Sequence, residues 1–128
     1  MKTSSWTTIF LVLATAAVAV EPQNCKTMLT PPDIAAALGQ GVRIQPVFSG
    51  GGQRGWRLYN VRSSRVLSAS SIPEGSLMTH VCRVHARDVF VAGGDVCCAM
   101  DASREFEATV LVMGKERSIR VQRETGGK

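Results

Sequence analysis

The side chains of this 128-residue chain best suited to metal or redox chemistry are its two histidines and four cysteines. His80, Cys82 and His85 lie close together, and Cys97-Cys98 follows. If the intervening run is a strand, His80 and Cys82 share a face. The spacing matches none of the common zinc patterns, such as paired Cys-x-x-Cys units, and surface imidazoles with small buried thiols account for it equally well. No metal and no cofactor is therefore expected. Hydrolytic chemistry fares no better. There is no Gly-x-Ser-x-Gly elbow and no His-Glu-x-x-His, and His85 and Asp88 stand near one another without a nucleophile. The chain reads as a non-enzyme.

The thiols are better suited to bridging. Cys97 and Cys98 are poorly disposed to bond to each other, because a vicinal bridge strains the peptide between them. Cys82 is the partner that either would find inside the domain. Four cysteines allow three complete pairings, and chain order does not choose among them.

The stretch Arg54 to Ser64, "RGWRLYNVRSS", mixes arginines with a tryptophan and a tyrosine. Together with Arg43 and Arg65 it raises the question of nucleic acid. One aromatic pair is no stacking platform, and the arginines fall mostly on the solvent faces of short strands. The net charge of +5 is spread out, with no block of five or six like charges, so neither a basic tail nor a polybasic membrane patch is indicated. No nucleic-acid partner is expected.

The elements that must position these residues follow a short N-terminal segment. Residues 1–20 read as a signal peptide or membrane anchor. Ile9 to Val20 is uncharged and mostly apolar, and Ala17-Val18-Ala19 offers a small-x-small cleavage pattern. As a helix that run rises only about 18 Å against about 30 Å of hydrocarbon, which favours a cleaved signal peptide. Export places the cysteines where disulfides persist. The Leu-x-Gly/Ala spacing of a lipoprotein signal is missing before Cys25, so lipidation there is not expected. Residues 21–41 read as a linker with a short helix: Thr30-Pro31-Pro32-Asp33 is a helix start, and Gly39 or Gly41 ends it.

Val42 to Val47 alternates as a half-buried strand, and Pro46 demotes it toward a sheet edge. A turn over 49–53 leads to a second strand, Trp56 to Val61. Arg65 to Ser71 has the spacing of one or two helical turns, and Ile72-Pro73-Glu74-Gly75 is a turn. Leu77 to Val84 is a strand. Asp88 caps a helix reaching Met100 or Asp101, with Val89, Ala92, Val96, Ala99 and Met100 as its apolar stripe, although Gly93-Gly94 costs it about 2 kcal/mol of helix propensity. "FEATVLV" and "RSIRVQR" form a hairpin around Met113-Gly114-Lys115-Glu116. Residues 124–128 are a disordered tail. The order implies an α+β fold, a small partly open β-barrel with two helices plugging its openings.

The run Arg43-Ile44-Gln45-Pro46-Val47-Phe48, then Gly55-Trp56-Arg57-Leu58-Tyr59-Asn60-Val61-Arg62-Ser63-Ser64, resembles the opening of a PDZ domain. It is most similar to the PDZ domain of the type II secretion system protein C family. Ser71-Ile72-Pro73-Glu74-Gly75-Ser76 corresponds to the family's Gly-[Leu/Ile]-x-x-Gly-Asp turn, with Ser76 where aspartate is usual. Cys82-Arg83 stands where an Asn-Gly turn is the rule. The resemblance covers residues 42–123. That family carries a further domain between its anchor and its PDZ domain, and residues 21–41 leave no room for one here.

What the resemblance implies is a peptide-binding module. A partner's extended segment would add a strand beside Leu58 to Val61, using backbone hydrogen bonds, with Gly55-Trp56-Arg57-Leu58 as the loop before it. Site residues on this basis are Gly55, Trp56, Arg57, Leu58, Tyr59, Asn60 and Val61, faced by Val89, Phe90 and Gly93 from the helix. Gly55 would let backbone approach ligand closely. Partners would be proteins, either secreted substrates or components of the secretion machinery. Membrane contact would come only through an uncleaved N-terminal segment, and the location would be the periplasm or the inner membrane facing it. The reading from another class is a small redox- or metal-responsive periplasmic protein built on Cys82, Cys97 and Cys98.

Overall fold

The computed structural model describes residues 25–89 and 94–123. The expected signal segment and C-terminal tail lie outside them. The described residues begin with β1 (Thr27–Leu29) and α1 (Pro31–Leu38), then β2 (Arg43–Ser49) and β3 (Gly52–Tyr59). A 3-10 turn at Val61–Ser63 leads to α2 (Arg65–Ala69), β4 (Leu77–Val81) and β5 (Val84–His85). After a second 3-10 turn, Ala86–Asp88, come β6 (Val96–Cys98), β7 (Glu105–Val112) and β8 (Lys115–Gln122). Among the described residues the fold is mostly antiparallel sheet with two α-helices, broadly α+β, and the sheet does not close into a barrel. The main sheet runs β2-β3-β4-β7-β8 with β5 on β4, and β1 and β6 make a separate two-stranded ribbon. None of the described helices is long and apolar enough to cross a membrane.

Local chemistry explains α1. The Thr30 hydroxyl accepts the Asp33 N–H at 3.2 Å, and the Asp33 carboxylate accepts the Thr30 N–H at 3.1 Å, a complete capping box. Those bonds hold the Asp33 carboxyl below its ordinary pKa. Pro31 and Pro32 occupy first-turn positions where a missing N–H costs nothing. Ile34 and Leu38, four residues apart, turn one face into the core. Leu29 of β1 is also fully buried in that core. The linker expected over 21–41 is therefore, from Cys25 onward, built into the same folded unit as the rest.

The β7–β8 hairpin has the register expected of it, from Glu105 opposite Gln122 to Val112 opposite Lys115. Its two-residue turn, Met113-Gly114, has positive φ at both positions (51° and 79°), as the twist of a tight hairpin demands. Phe106, Ala108 and Val110 alternate inward against Ile119 and Val121. In β4 a bulge between Met78 and His80 breaks the simple alternation, so that Met78 and Thr79 are both buried. Cys82-Arg83 makes a tight turn without the Asn-Gly pair. Val81 pairs with Val84, and φ is 56° and 67° at the two residues between.

What holds Cys82 in that left-handed conformation is covalent and hydrogen-bonded. Its sulfur is joined to Cys98, with 5.5 Å between the Cα atoms, and its N–H donates to the Glu107 carbonyl at 2.8 Å. The same bridge overturns the helix expected over 88–101. Residues 86–88 make a single 3-10 turn, and Val96–Cys98 is extended and paired with β1. Extended backbone turns Val96 and Cys98 inward together, which delivers Cys98 to Cys82. A helix here would have had to overcome the glycine penalty at its centre. Residues 90–93 of that span, including Phe90 and Gly93, lie outside the described residues.

The bridge spans a sequence separation of 16 residues. Replacing both cysteines (Cys82→Ala, Cys98→Ala) is expected to lower unfolding stability by about 3 kcal/mol through the entropy of the unfolded loop. Chemical denaturation of the oxidised protein against the double variant checks this.

Candidate protein-binding edge

The strand expected to receive a partner is occupied on both sides. β2 pairs along one edge of β3, from Arg43 opposite Tyr59 to Ser49 opposite Gly52. β4 pairs along the other at Trp56 with Met78 and Arg57 with Leu77. Beyond the ladder, the Leu58 N–H donates to the Ser76 carbonyl and the Gly75 N–H to the Leu58 carbonyl, both at 2.9 Å. Asn60 takes a left-handed conformation (φ 64°), and Val61 enters the 3-10 turn. Their N–H groups donate to the two carboxylate oxygens of Glu74 at 2.7 and 2.9 Å. The backbone of Leu58 to Val61 is thus not an open edge. The donors that could have met an incoming carboxylate are satisfied by the chain's own Glu74.

The side chains confirm an interior strand. Trp56 and Leu58 are fully buried, and the Trp56 indole N–H has no hydrogen-bond partner among the described residues. Arg57 is half-buried and donates to the Gly75 carbonyl at 2.9 Å. Tyr59 lies under the Arg43 guanidinium, 5.7 Å from the ring centroid. The Asn60 side chain donates to the Gly41 carbonyl at 2.9 Å. Gly55 does allow a close approach, but of the chain to itself. A Cβ there would lie 2.6 Å from the Met78 carbonyl oxygen and 2.9 Å from Leu77 Cγ. Val89 is partly buried against the core just after the Ala86–Asp88 turn, which itself packs on β3.

The histidines and cysteines separate. His80 and His85 meet edge to face at 4.8 Å, cross-strand neighbours of the β4–β5 hairpin. His80 Nδ1 bonds the Thr79 hydroxyl at 2.8 Å, and His85 Nδ1 accepts the Arg87 N–H at 3.0 Å. Burial, then Arg87 and His80, lower the His85 pKa. Cys82, expected to share a face with His80 as a thiol, is committed to the bridge. No group of three or more metal-ligating side chains is assembled among the described residues.

Among the described residues β2 is one outer edge of the main sheet, as Pro46 suggests, and β8 is the other. Leu58 directs its backbone groups to residues 75 and 76, so it is Arg57 and Tyr59 that exchange bonds with β2. By the same alternation Ile44 and Pro46 face away from β3. Ile44 offers an N–H and a carbonyl on the outer side, and Pro46 offers a carbonyl alone. Beside them opens a groove of about 470 Å³ between the start of α1 (Pro31, Pro32, Ala35) and Arg43, Ile44 and Gln45. Three consecutive strand residues line it, which side chains alternating between two faces achieve only around an edge. Arg43 is its one formally charged lining residue. Sequence reading missed this site because α1 was assigned to a linker. Pro46 was the available signal. Comparison of the chain with protein-family models, curated proteins and solved structures yields no match.

Gly55→Ala is expected to destabilise the fold by about 1–3 kcal/mol, since backbone and not a flexible side-chain tip must move. Chemical denaturation measures it, and a loss below that range would show that β4 yields easily. For Glu74, the Asn60 and Val61 N–H bonds, with Arg62 and Arg43 nearby, hold the carboxyl below its ordinary 4.5. A depressed folded-state pKa stabilises above the unfolded value and is lost as pH falls through the folded one. The stability difference between the wild-type chain and Glu74→Gln should therefore shrink as pH drops below 4.5. A difference that stays constant from neutral to acid pH would show that the carboxylate clamp contributes nothing.

Proposed function

We propose that this chain is an exported protein-interaction module with a PDZ-like arrangement, which takes up an extended segment of a protein partner beside β2. The observation that carries the reading is the pairing of a free strand edge with an adjacent helix across one groove, lined by Ala35 and Ile44. An added strand would use the Ile44 backbone groups for affinity and the α1 face for side-chain selection. Arg43, with no acidic residue lining the groove, favours a segment carrying a carboxylate or acidic side chain. The likeness of residues 42–123 to the PDZ domain of the type II secretion system protein C family supports a role in that system. The partner is then a secreted substrate or a machinery component, met in the periplasm or at the periplasmic face of the inner membrane. Relative to the family pattern, the receiving edge moves outward by one strand, from β3 to β2.

Ala35→Arg tests the reading, because Ala35 is half-exposed on α1 and its replacement projects into the groove without emptying the core. Immobilised wild-type chain should retain type II secreted proteins or machinery components, and the variant should lose at least tenfold of that retention at unchanged melting temperature. Equal retention by a folded variant rules out the groove as the binding site.

A further inference from the structure

Two cysteines stand outside the Cys82–Cys98 bridge: Cys25 and Cys97. Both belong to the β1–β6 ribbon. The ladder sets Met28 opposite Cys97 and Thr27 opposite Cys98, and the Lys26 N–H donates to the Cys98 carbonyl at 2.8 Å. Cys25 immediately precedes β1 and folds back along it, its thiol 3.5 Å from the Thr27 carbonyl. The Lys26–Cys98 bond and that turn leave Cys25 beside β6 at the end of the ribbon, near enough for it to raise the pKa of the Cys97 thiol. Within β6, Val96 and Cys98 are buried while Cys97 is half-buried, so Cys97 points to the opposite face from Cys98. Its sulfur is turned away from the existing bridge, on the face it shares with Met28. With Cys82 joined to Cys98, Cys25–Cys97 is the pairing that completes the set among the three that four cysteines permit.

We propose that Cys25 and Cys97 form a second, reversible disulfide that fastens the residues leading into β1 to β6. The step needs an external disulfide, small-molecule or protein, as oxidant. The Cys25 thiolate attacks one of its sulfurs, forming a mixed disulfide and releasing the first thiolate. Cys97 then gives up its proton and attacks Cys25 Sγ, which expels the second thiolate. Two protein thiols are oxidised, one external disulfide is reduced to two thiols, and the protons leave with them. Cys25 is the entering residue because it lies at the end of the ribbon, outside both strands. Burial first, and then Cys25, push the Cys97 thiol up to about 11, so it stays protonated until the mixed disulfide forms next to it. The Cys82–Cys98 bridge, with Cys98 fully buried, is shielded from the exchange.

Thiol trapping on the purified full chain, equilibrated in glutathione buffers of increasing oxidised fraction, tests this. Alkylation followed by mass spectrometry should show the two thiols of Cys25 and Cys97 disappearing together, with a Cys25–Cys97 cross-linked peptide. Mild dithiothreitol should restore both while Cys82–Cys98 survives. Cys97→Ser should instead stop at a glutathione adduct on Cys25. Separate glutathione adducts on both residues of the wild-type chain, a Cys25-linked dimer, or a bridge from Cys25 to Cys82 or Cys98 would each overturn the proposal. The oxidised form should also melt higher than the form with both thiols alkylated, and an unchanged melting temperature would overturn the fastening role.

Discussion

The Cys82–Cys98 bridge is the constraint on which the rest of the arrangement depends. One end sits in a two-residue turn whose backbone is left-handed at both positions, a conformation that costs non-glycine residues roughly 1–2 kcal/mol apiece. The other end sits in a three-residue strand too short to hold its place alone. Joined, each fixes the other, and the two-stranded ribbon is attached to the six-stranded sheet. Because β6 pairs with β1, the bridge also determines where Leu29 and α1 come to lie. A domain of this size gains much from such a link, because its hydrophobic core alone is modest.

With the ribbon and α1 seated, the main sheet has little backbone left to offer. β3 is flanked by β2 and β4, and the donors that end it are closed by Glu74. This closure leaves the sheet's unpaired backbone groups at its rim, not in its middle. β8, at the far rim, carries Lys115, Glu116, Arg117 and Arg120, a density of charge that discourages strand addition. β2 carries a single charged residue, Arg43; helices pack against both rims, so charge is what separates the two edges. Pro46 limits the edge to a short stretch of usable backbone, which blunts it as an aggregation hazard.

Much of the element order was legible in the residues. Thr30 to Asp33 specifies its helix through bonds between neighbours, and the Met113-Gly114 hairpin follows from strict alternation on both sides of a turn. Pro46 announces an edge because it lacks a donor wherever it is placed. The segment from Asp88 to Asp101 was misread because Val89, Val96 and Ala99 satisfy a helical period by chance, while the force that extends Val96–Cys98 comes from β1 and Cys82. Glu74 was legible only as part of a turn, since the N–H groups it accepts lie 13 and 14 residues away.

By itself, then, the sequence determined the properties that act over a few residues: the capped α1, the tight hairpin, the demoted strand and a set of cysteines poised for oxidation. Only the tertiary structure decided which strand is interior, which strands form the edges and which cysteines are bridged. Those outcomes depend on pairings between distant segments, Thr27 with Cys98 and Arg43 with Tyr59 among them. A residue's own type constrains its local backbone strongly, but it says little about which remote partner will satisfy its hydrogen bonds.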